Sequence, residues 1–185
     1  MNDTNEKNNT TEDQGPFPAA LEYLRRGELP GGWDDLGHLP DAELLILAAA
    51  DWWQPWVHIS DDATLRNAWE GRLPESMIPE TDLGIALAYN PHLPGDILHN
   101  LVKTYDDDGI GYENPNIEPR TLHLLVTRLN SGGSCGYTEL ATARIVAENP
   151  GTWNDTLKEM ALNPHSEVRD VALRAIWDRR EQVSA

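Results

Sequence analysis

Residues 146–173 read VAENPGTWNDTLKEMALNPHSEVRDVAL, and this stretch decides the predicted fold. After each Asn-Pro step, apolar residues return every three or four positions, which is the spacing of one buried face of an α-helix. Asn tolerates a left-handed φ, and Pro cannot continue a helix, so each step marks a helix end followed by a turn. The stretch therefore predicts short helices joined by Asn-Pro turns.

Earlier parts of the chain repeat this pattern. Asn-Pro steps also lie at residues 90–91 and 114–115, ahead of the one at 149–150, and each is followed by an apolar stripe with helical spacing. The first two steps are 24 residues apart and the second and third are 35 apart, which indicates an insertion in the middle unit. A single helix pair of this length cannot bury its own apolar face, so the units are predicted to stack.

The remainder of the sequence has the same all-α character. Short helical stretches separated by Pro, Gly and Asn begin near residue 16, and no segment sustains the period of two that marks a β-strand. Residues 1–15 contain no large apolar residue beyond the first methionine, which predicts a disordered tail. We therefore expect a short α-solenoid of stacked helix pairs, in which an N-terminal helical segment (16–80) packs with a helical repeat array (81–185) as one domain.

The last helix is expected to close the array. Its apolar stripe predicts that Val171, Ala172 and Ile176 pack on the preceding unit. On the same helix, Arg174, Asp178 and Arg179 are expected to face water.

These units resemble the leucine-rich repeat variant family, over roughly residues 83–177. The residues that carry the resemblance flank the last Asn-Pro steps: Val146, Ala147, Leu157, Met160, Val168, Arg169, Val171 and Ala172. Members of that family are helical solenoids related in style to HEAT repeats. The resemblance implies a fold and a habit of binding macromolecules, and it implies no enzymatic activity. Some members carry an iron–sulfur cluster on a cysteine-rich segment, whereas this chain has only Cys135.

Charge is distributed unevenly within a formal net charge of −17. Residues 27–118 hold 18 acidic residues against three basic ones, whereas residues 151–185 hold six and five. A field of this sign repels phosphate groups, so we expect no direct binding to nucleic acid or to a membrane. Either the acids serve solubility alone, or they contact a basic protein partner. The candidate contact residues are Asp61, Asp62, Asp106, Asp107 and Asp108.

A second candidate surface is the aromatic cluster in ADWWQPWVHISDD, residues 50–62. Trp52, Trp53 and Trp56 lie beside Pro55, where the preceding helix is expected to end. One interpretation is that the rings plug the junction between the N-terminal helices and the repeat array, because exposing three of them to water is costly. The other is an aromatic anchor for a partner, since Trp is enriched at binding hot spots.

Catalytic, cofactor-binding and metal-binding motifs are missing from the sequence. The six histidines lack the spacing of a helical zinc site, and Cys135 has no base beside it. An EF-hand loop centred on TYDDDGIGYENP would need acids where Thr104 and Pro115 stand. No apolar run approaches membrane-spanning length and no leader peptide is evident, which predicts a cytoplasmic protein.

Three function classes follow from these observations. The leading one is a non-catalytic module, an acidic α-solenoid that binds a basic protein partner. The second is nucleic-acid mimicry, in which a continuous band of carboxylates imitates phosphates and inhibits a DNA-binding or host-defence protein. The third is an enzyme of unrecognised type, which would require a deep pocket lined by paired titratable groups.

Overall fold

The computed structural model describes residues 17–28, 36–50, 52–74, 83–105, 111, 113–132 and 137–184. All regular secondary structure in these ranges is helical, with nine α-helices and no strand, which confirms the predicted all-α class. The predicted disordered tail, residues 1–15, and Cys135 lie outside the described residues.

The helices are short except for the last one. They are α1 (Pro18–Arg26), α2 (Asp41–Ala48), α3 (Asp62–Trp69), α4 (Leu83–Ala88), α5 (Gly95–Thr104), α6 (Pro119–Ser131), α7 (Tyr137–Glu148), α8 (Asn154–Met160) and α9 (Ser166–Ser184). A 3-10 turn, Gln54–Val57, lies between α2 and α3. Several helix ends follow from local chemistry: α1 has Pro18 at its first position and stops at Gly27, whose φ of 69° is left-handed.

Four Asn-Pro steps adopt one recurring turn. In Asn90, Asn114, Asn149 and Asn163, the side-chain Oδ1 accepts a hydrogen bond from the backbone N–H two residues later, at 2.7–2.9 Å. In the first three, the backbone carbonyl also accepts from the N–H three residues later, at 3.1 Å. Proline occupies the intervening position, where its missing N–H leaves no donor unpaired.

Three of these asparagines also tie their turn to a neighbouring segment. Their side chains are buried, and each amide nitrogen donates two hydrogen bonds of 2.7–3.2 Å. The acceptors are Trp56 O and Ile59 O for Asn90, Ala88 O and Asn90 O for Asn114, and Leu129 O and Asn130 Oδ1 for Asn163. Because Asn114 donates to the carbonyl of Asn90, successive turns are linked directly.

Helix packing follows chain order. The main contacts join elements that are adjacent or one element apart, such as α5 with α6, α6 with α8, and α7 with α9. Buried residues from both predicted segments, 16–80 and 81–185, belong to a single apolar cluster that runs from Ala20 to Ala172. Within the described ranges, no helix is both long enough and apolar enough to span a bilayer.

Helix α9 packs on α7 and α8, although one expectation about it is wrong. Val168 and Ala172 are buried, Val171 and Ile176 are half-buried, and Arg174 and Asp178 face water. Arg179, which was expected to face water, is half-buried instead. Its guanidinium donates to the carbonyls of Thr152 and Asn149, which belong to the turn before α8. The guanidinium thereby gives the Thr152 carbonyl a donor and adds a second donor to the Asn149 carbonyl, which also accepts from the Thr152 N–H within the turn.

Candidate interaction surface

The predicted tryptophan cluster surrounds the 3-10 turn. Trp56 has 0% of its surface exposed and is a core residue, so its ring has no surface to offer a partner. Trp56 belongs to the apolar core cluster. Trp52 and Trp53 are half-buried and pack against the same core. Because part of each ring is exposed, a contact of Trp52 and Trp53 with a partner stays a prediction.

Asp61 and Asp62 are exposed at the start of α3 and both have structural roles. The Asp61 carboxylate caps the helix by accepting from the Thr64 hydroxyl at 2.6 Å and from its N–H at 2.8 Å. The hydroxyl hydrogen bond, followed by the backbone one, lowers the pKa of Asp61. Asp62 pairs with Arg66 at 3.0 Å. The remaining predicted acids, Asp106–Asp108, lie outside the described residues.

A row of polar contacts joins helices α3, α5 and α6. Arg66 of α3 binds the Asp96 carboxylate of α5 with two nitrogens, at 2.8 and 3.2 Å. This pairing lowers the pKa of Asp96. On the next helix pair, His99 Nδ1 lies 3.0 Å from the Thr121 hydroxyl of α6. Burial lowers the pKa of His99, so its ring is held in the neutral form near neutral pH.

The same row continues onto α8 through a group that we name the His123 cluster: His123, Trp153, Thr156 and Glu159. His123 Nδ1 lies 3.4 Å from both the Thr156 hydroxyl and the Glu159 carboxylate. The His123 ring is tilted by 44° against Trp153, with centroids 6.4 Å apart. Trp153 directly precedes α8, and the other two residues lie one turn apart on it, so all three reach the same histidine on α6.

The His123 cluster is open to solvent. Trp153 is 51% exposed, and the side chains of His123 and Glu159 are 45% and 36% exposed. The Trp153 indole and the Glu159 carboxylate both lie beside His123. This arrangement suits a cationic side chain, because the face of the indole ring and the carboxylate both attract positive charge. The Asp155 carboxylate at the start of α8 is already paired with Lys158 at 2.7 Å, so Glu159 supplies the negative charge of the cluster. The arrangement can therefore bind a lysine or arginine of a partner.

Two open clefts flank α9 and differ from this surface. One, of about 850 Å³, lies between α7 and α9, and the other, of about 740 Å³, lies beside α8. Among the described residues that line them, none is His, Cys, Ser or Tyr. Nor does any group of three or more His, Cys, Asp or Glu in the described ranges have a metal-holding arrangement.

Sequence reasoning missed the His123 cluster, although the repeat contained a signal for it. His99 and His123 each lie nine residues after the Asn of their unit, and Thr121 and Thr156 each lie seven residues after theirs. Matching positions of neighbouring units face one another when units stack. Aligning the units would therefore have paired each histidine with the threonine of the next unit.

Comparison with known proteins gives no match: no family model matches the chain, and no curated protein or solved structure is detectably similar to it.

Proposed function

We propose that this chain is a non-catalytic binding module, a short α-solenoid in the style of leucine-rich repeat variant and HEAT-like arrays, and that it binds a basic protein partner. The observation that carries the proposal is the His123 cluster. It places a half-exposed tryptophan and a carboxylate on a surface shared by two stacked helices.

Support for the solenoid comes from the recurring turn. Four Asn-Pro steps make the same side-chain hydrogen bond, and the turn at Asn114 donates to the turn at Asn90. The polar row advances in the same sense, from the α5–α6 pair to the α6–α8 pair. Stacked repeats of a solenoid build extended surfaces that bind macromolecules.

Support for a basic partner comes from the charge of the chain, both at long range and at contact distance. The chain carries a formal charge of −17, which attracts a cationic protein over a distance and raises the rate of encounter. At contact range, Trp153 and Glu159 match the head group of a lysine or arginine. An exposed tryptophan is also the residue type most enriched at binding hot spots.

Mimicry of nucleic acid is less well supported by the described residues. A phosphate-like band needs carboxylates that are not interrupted by cations. Here acids and bases alternate on the surface as ion pairs, which are Glu22–Arg26, Asp62–Arg66–Asp96, Glu70–Arg72, Glu118–Arg120 and Asp155–Lys158. This interleaving favours recognition of a protein over imitation of a phosphate backbone.

Comparative capture tests the proposal. The wild-type chain and Trp153→Ala are immobilised and incubated with lysate of the native host, and bound proteins are quantified by mass spectrometry. We expect a basic protein that the wild type captures and that Trp153→Ala loses by at least about tenfold, because truncation of a hot-spot residue costs about 2 kcal/mol or more. Tyr89→Ala is the matched control, since Tyr89 is 48% exposed and lies outside the cluster.

Direct binding then separates the two parts of the cluster. Against the captured partner, Glu159→Gln should weaken binding less at high salt than at low salt, because the carboxylate acts through charge. Trp153→Ala should weaken binding at both. A captured protein that is acidic, or one that binds equally to wild type and Trp153→Ala, contradicts the proposal.

A further inference from the structure

Helix α9 has two faces of different character. The face toward α7 and α8 carries the buried Val168 and Ala172 together with the half-buried Ala175 and Arg179. On the opposite face, Leu173 is 51% exposed and Trp177 is 62% exposed. Both are large apolar side chains one turn apart, and the Trp177 Nε1–H donates to Glu181 of the same helix at 2.9 Å. Such a patch marks an interaction site when it is flanked by charged residues.

The spacing along this outer face is that of a helix-packing seam. Asp170, Leu173, Trp177 and Arg180 follow one another at intervals of three, four and three residues, and all four are exposed. Side chains with this alternation line one stripe of a helix and meet a second helix along their whole length. The seam has an apolar centre with a carboxylate at one end and a guanidinium at the other.

This seam is complementary to itself in one orientation. Its midpoint is Ala175, two residues from both Leu173 and Trp177 and five residues from both Asp170 and Arg180. When two copies lie antiparallel about that midpoint, each Leu173 meets the other copy's Trp177, and each Asp170 lies at the level of the other copy's Arg180. A parallel pair would instead place like charges together, which is unfavourable.

We infer that α9 mediates self-association, through an antiparallel pairing of its outer face with the same face of a second copy, about a twofold axis that crosses the outer face at the level of Ala175 along the helix. Asp170 and Arg180 are about 15 Å apart along the helix, at 1.5 Å per residue. The two charge pairs therefore frame the apolar centre and fix the register. The surface is isologous, so it closes on itself as a dimer and does not propagate into fibres.

One helix face is a small contact, which sets the expected strength. Stable dimers bury well over 1,000 Å² of surface in total. Two copies of a single 19-residue helix bury less surface than a large obligate interface does, so the dimer is expected to be weak. We therefore expect a dissociation constant of roughly 10–100 µM. The pairing uses a different surface from the His123 cluster, so it does not depend on the proposed function.

Sedimentation velocity of the full chain over a range of concentrations tests this inference. The wild type should shift from monomer to dimer as its concentration rises. Trp177→Ala should raise the dissociation constant at least about 30-fold, because it removes a hot-spot residue twice in each dimer. Leu21→Ala, which removes a 47%-exposed leucine of α1, should leave it unchanged. Unfolding midpoints show whether the variants remain folded.

Charge reversal tests the antiparallel register. Asp170→Arg alone and Arg180→Asp alone should each weaken the dimer by roughly tenfold, since each places like charges opposite one another. An equimolar mixture of the two variants should restore wild-type affinity, because both facing pairs in the mixed dimer have opposite charge. The double variant, which exchanges the two charges within one chain, should dimerise alone.

Three results would overturn the inference. The first is a monomer at every concentration up to about 200 µM, well above the expected dissociation constant. The second is a dimer that Trp177→Ala does not weaken, which would place the interface elsewhere. The third is a mixture of the two charge variants that associates no better than either variant alone, which would exclude the antiparallel register.

Discussion

Asn114 links two turns with a single side chain. Its amide nitrogen donates to the carbonyls of Ala88 and Asn90, and its oxygen accepts from the N–H of Asn116. The two bonds that the amide nitrogen donates are buried, where water cannot replace them. Only an amide of this length carries both donors and the acceptor, so the choice of asparagine follows from the hydrogen bonds that must be made.

Replacing Asn114 with Ala should therefore be severe. The substitution removes a donor from two buried carbonyls. The Asn90 carbonyl keeps the Leu93 N–H, whereas the Ala88 carbonyl loses its side-chain partner, and a buried group left unpaired costs about 1–3 kcal/mol. We expect the free energy of unfolding in urea to fall by about 2–4 kcal/mol. Asn100→Ala, at an exposed position of α5, is the control and should change stability by less than about 0.5 kcal/mol. Equal effects for the two variants would show that the Asn114 bonds contribute little.

His99 makes stability depend on pH. Burial, followed by the nearby Arg120, lowers the pKa of His99 below that of the unfolded chain. The folded state therefore favours the neutral ring, and the unfolded chain binds a proton first as the solution is acidified. The contribution of His99 is complete above about pH 6.5 and is lost as the pH falls through that value towards the lowered pKa.

Unfolding in urea at pH 7.5 and at pH 5.5 measures this contribution. The wild type and His38→Gln, which changes an exposed histidine, should lose stability on acidification. His99→Gln should lose less. An identical loss for His99→Gln and His38→Gln would mean that His99 does not contribute to the pH dependence.

At the scale of one helix, α9 is held by its inner face. Val168 has no exposed surface, Val171 is half-buried, and Leu173 is exposed. An aspartate placed at these three positions meets three different environments on the same helix. Because helix propensity changes little among the three positions, differences in stability report burial.

We therefore expect a graded series. Val168→Asp should lower the free energy of unfolding by more than about 3 kcal/mol, because it buries an unpaired carboxylate. Val171→Asp should cost less, and Leu173→Asp should stay within about 1 kcal/mol. The comparison is made at low protein concentration, where self-association does not contribute. A mild effect of Val168→Asp would show that α9 is not docked as described.

The helices and turns differ in how well their sequences predict which residues are buried. The stripes of α5, α6 and α9 have enough turns to define a buried face, and the predicted residues Leu98, Leu122 and Ala172 are buried. The 3-10 turn has four residues and no measurable period, so its burial of Trp56 could not be predicted from pattern. The helical pattern places Arg179 at the surface and carries no sign of its contacts, because the carbonyls that it binds lie 27 and 30 residues earlier in the chain.

The candidate surface was harder to predict than the fold. A single tryptophan before a helix carries no periodicity, and the exposure of Trp153 is set by where α6 lies. The sequence shows where the acids lie but not their roles within the chain: Asp61 is a helix cap and Asp62 is an ion-pair partner. Composition predicts the sign of the net charge, but it does not show which carboxylates already bind other residues of the same chain.

At the scale of the whole molecule, the net charge predicts how the association rate of a partner depends on salt. A basic protein should associate quickly at low ionic strength and more slowly past about 0.15 M salt, where the Debye length is roughly 8 Å. Neutralising Asp106, Asp107 and Asp108 to Asn should lower the association rate more than it changes dissociation. Surface-based kinetics with the captured partner at several salt concentrations measures both rates.

The pair Asp61→Asn and Asp62→Asn is an informative comparison in the same assay. Because these residues cap and brace α3, their neutralisation should also lower the thermal midpoint, and binding has to be measured well below it. Association rates that do not depend on salt or on either set of variants would leave the acids with a solubilising role alone. Trp52 and Trp53 would then be tested next.

The Asn-Pro turn has a consequence for the chemical ageing of this protein. Asparagine deamidates when the backbone nitrogen of the next residue attacks the side-chain amide, and that attack requires a nitrogen that can lose a proton. Proline has no N–H, so Asn90, Asn114, Asn149 and Asn163 are protected from this route by the residue that follows each of them. Conversion to aspartate at Asn114 would replace a donor to two buried carbonyls with a negative charge. The proline of each turn therefore also preserves, over the lifetime of the molecule, the amides that join the turns.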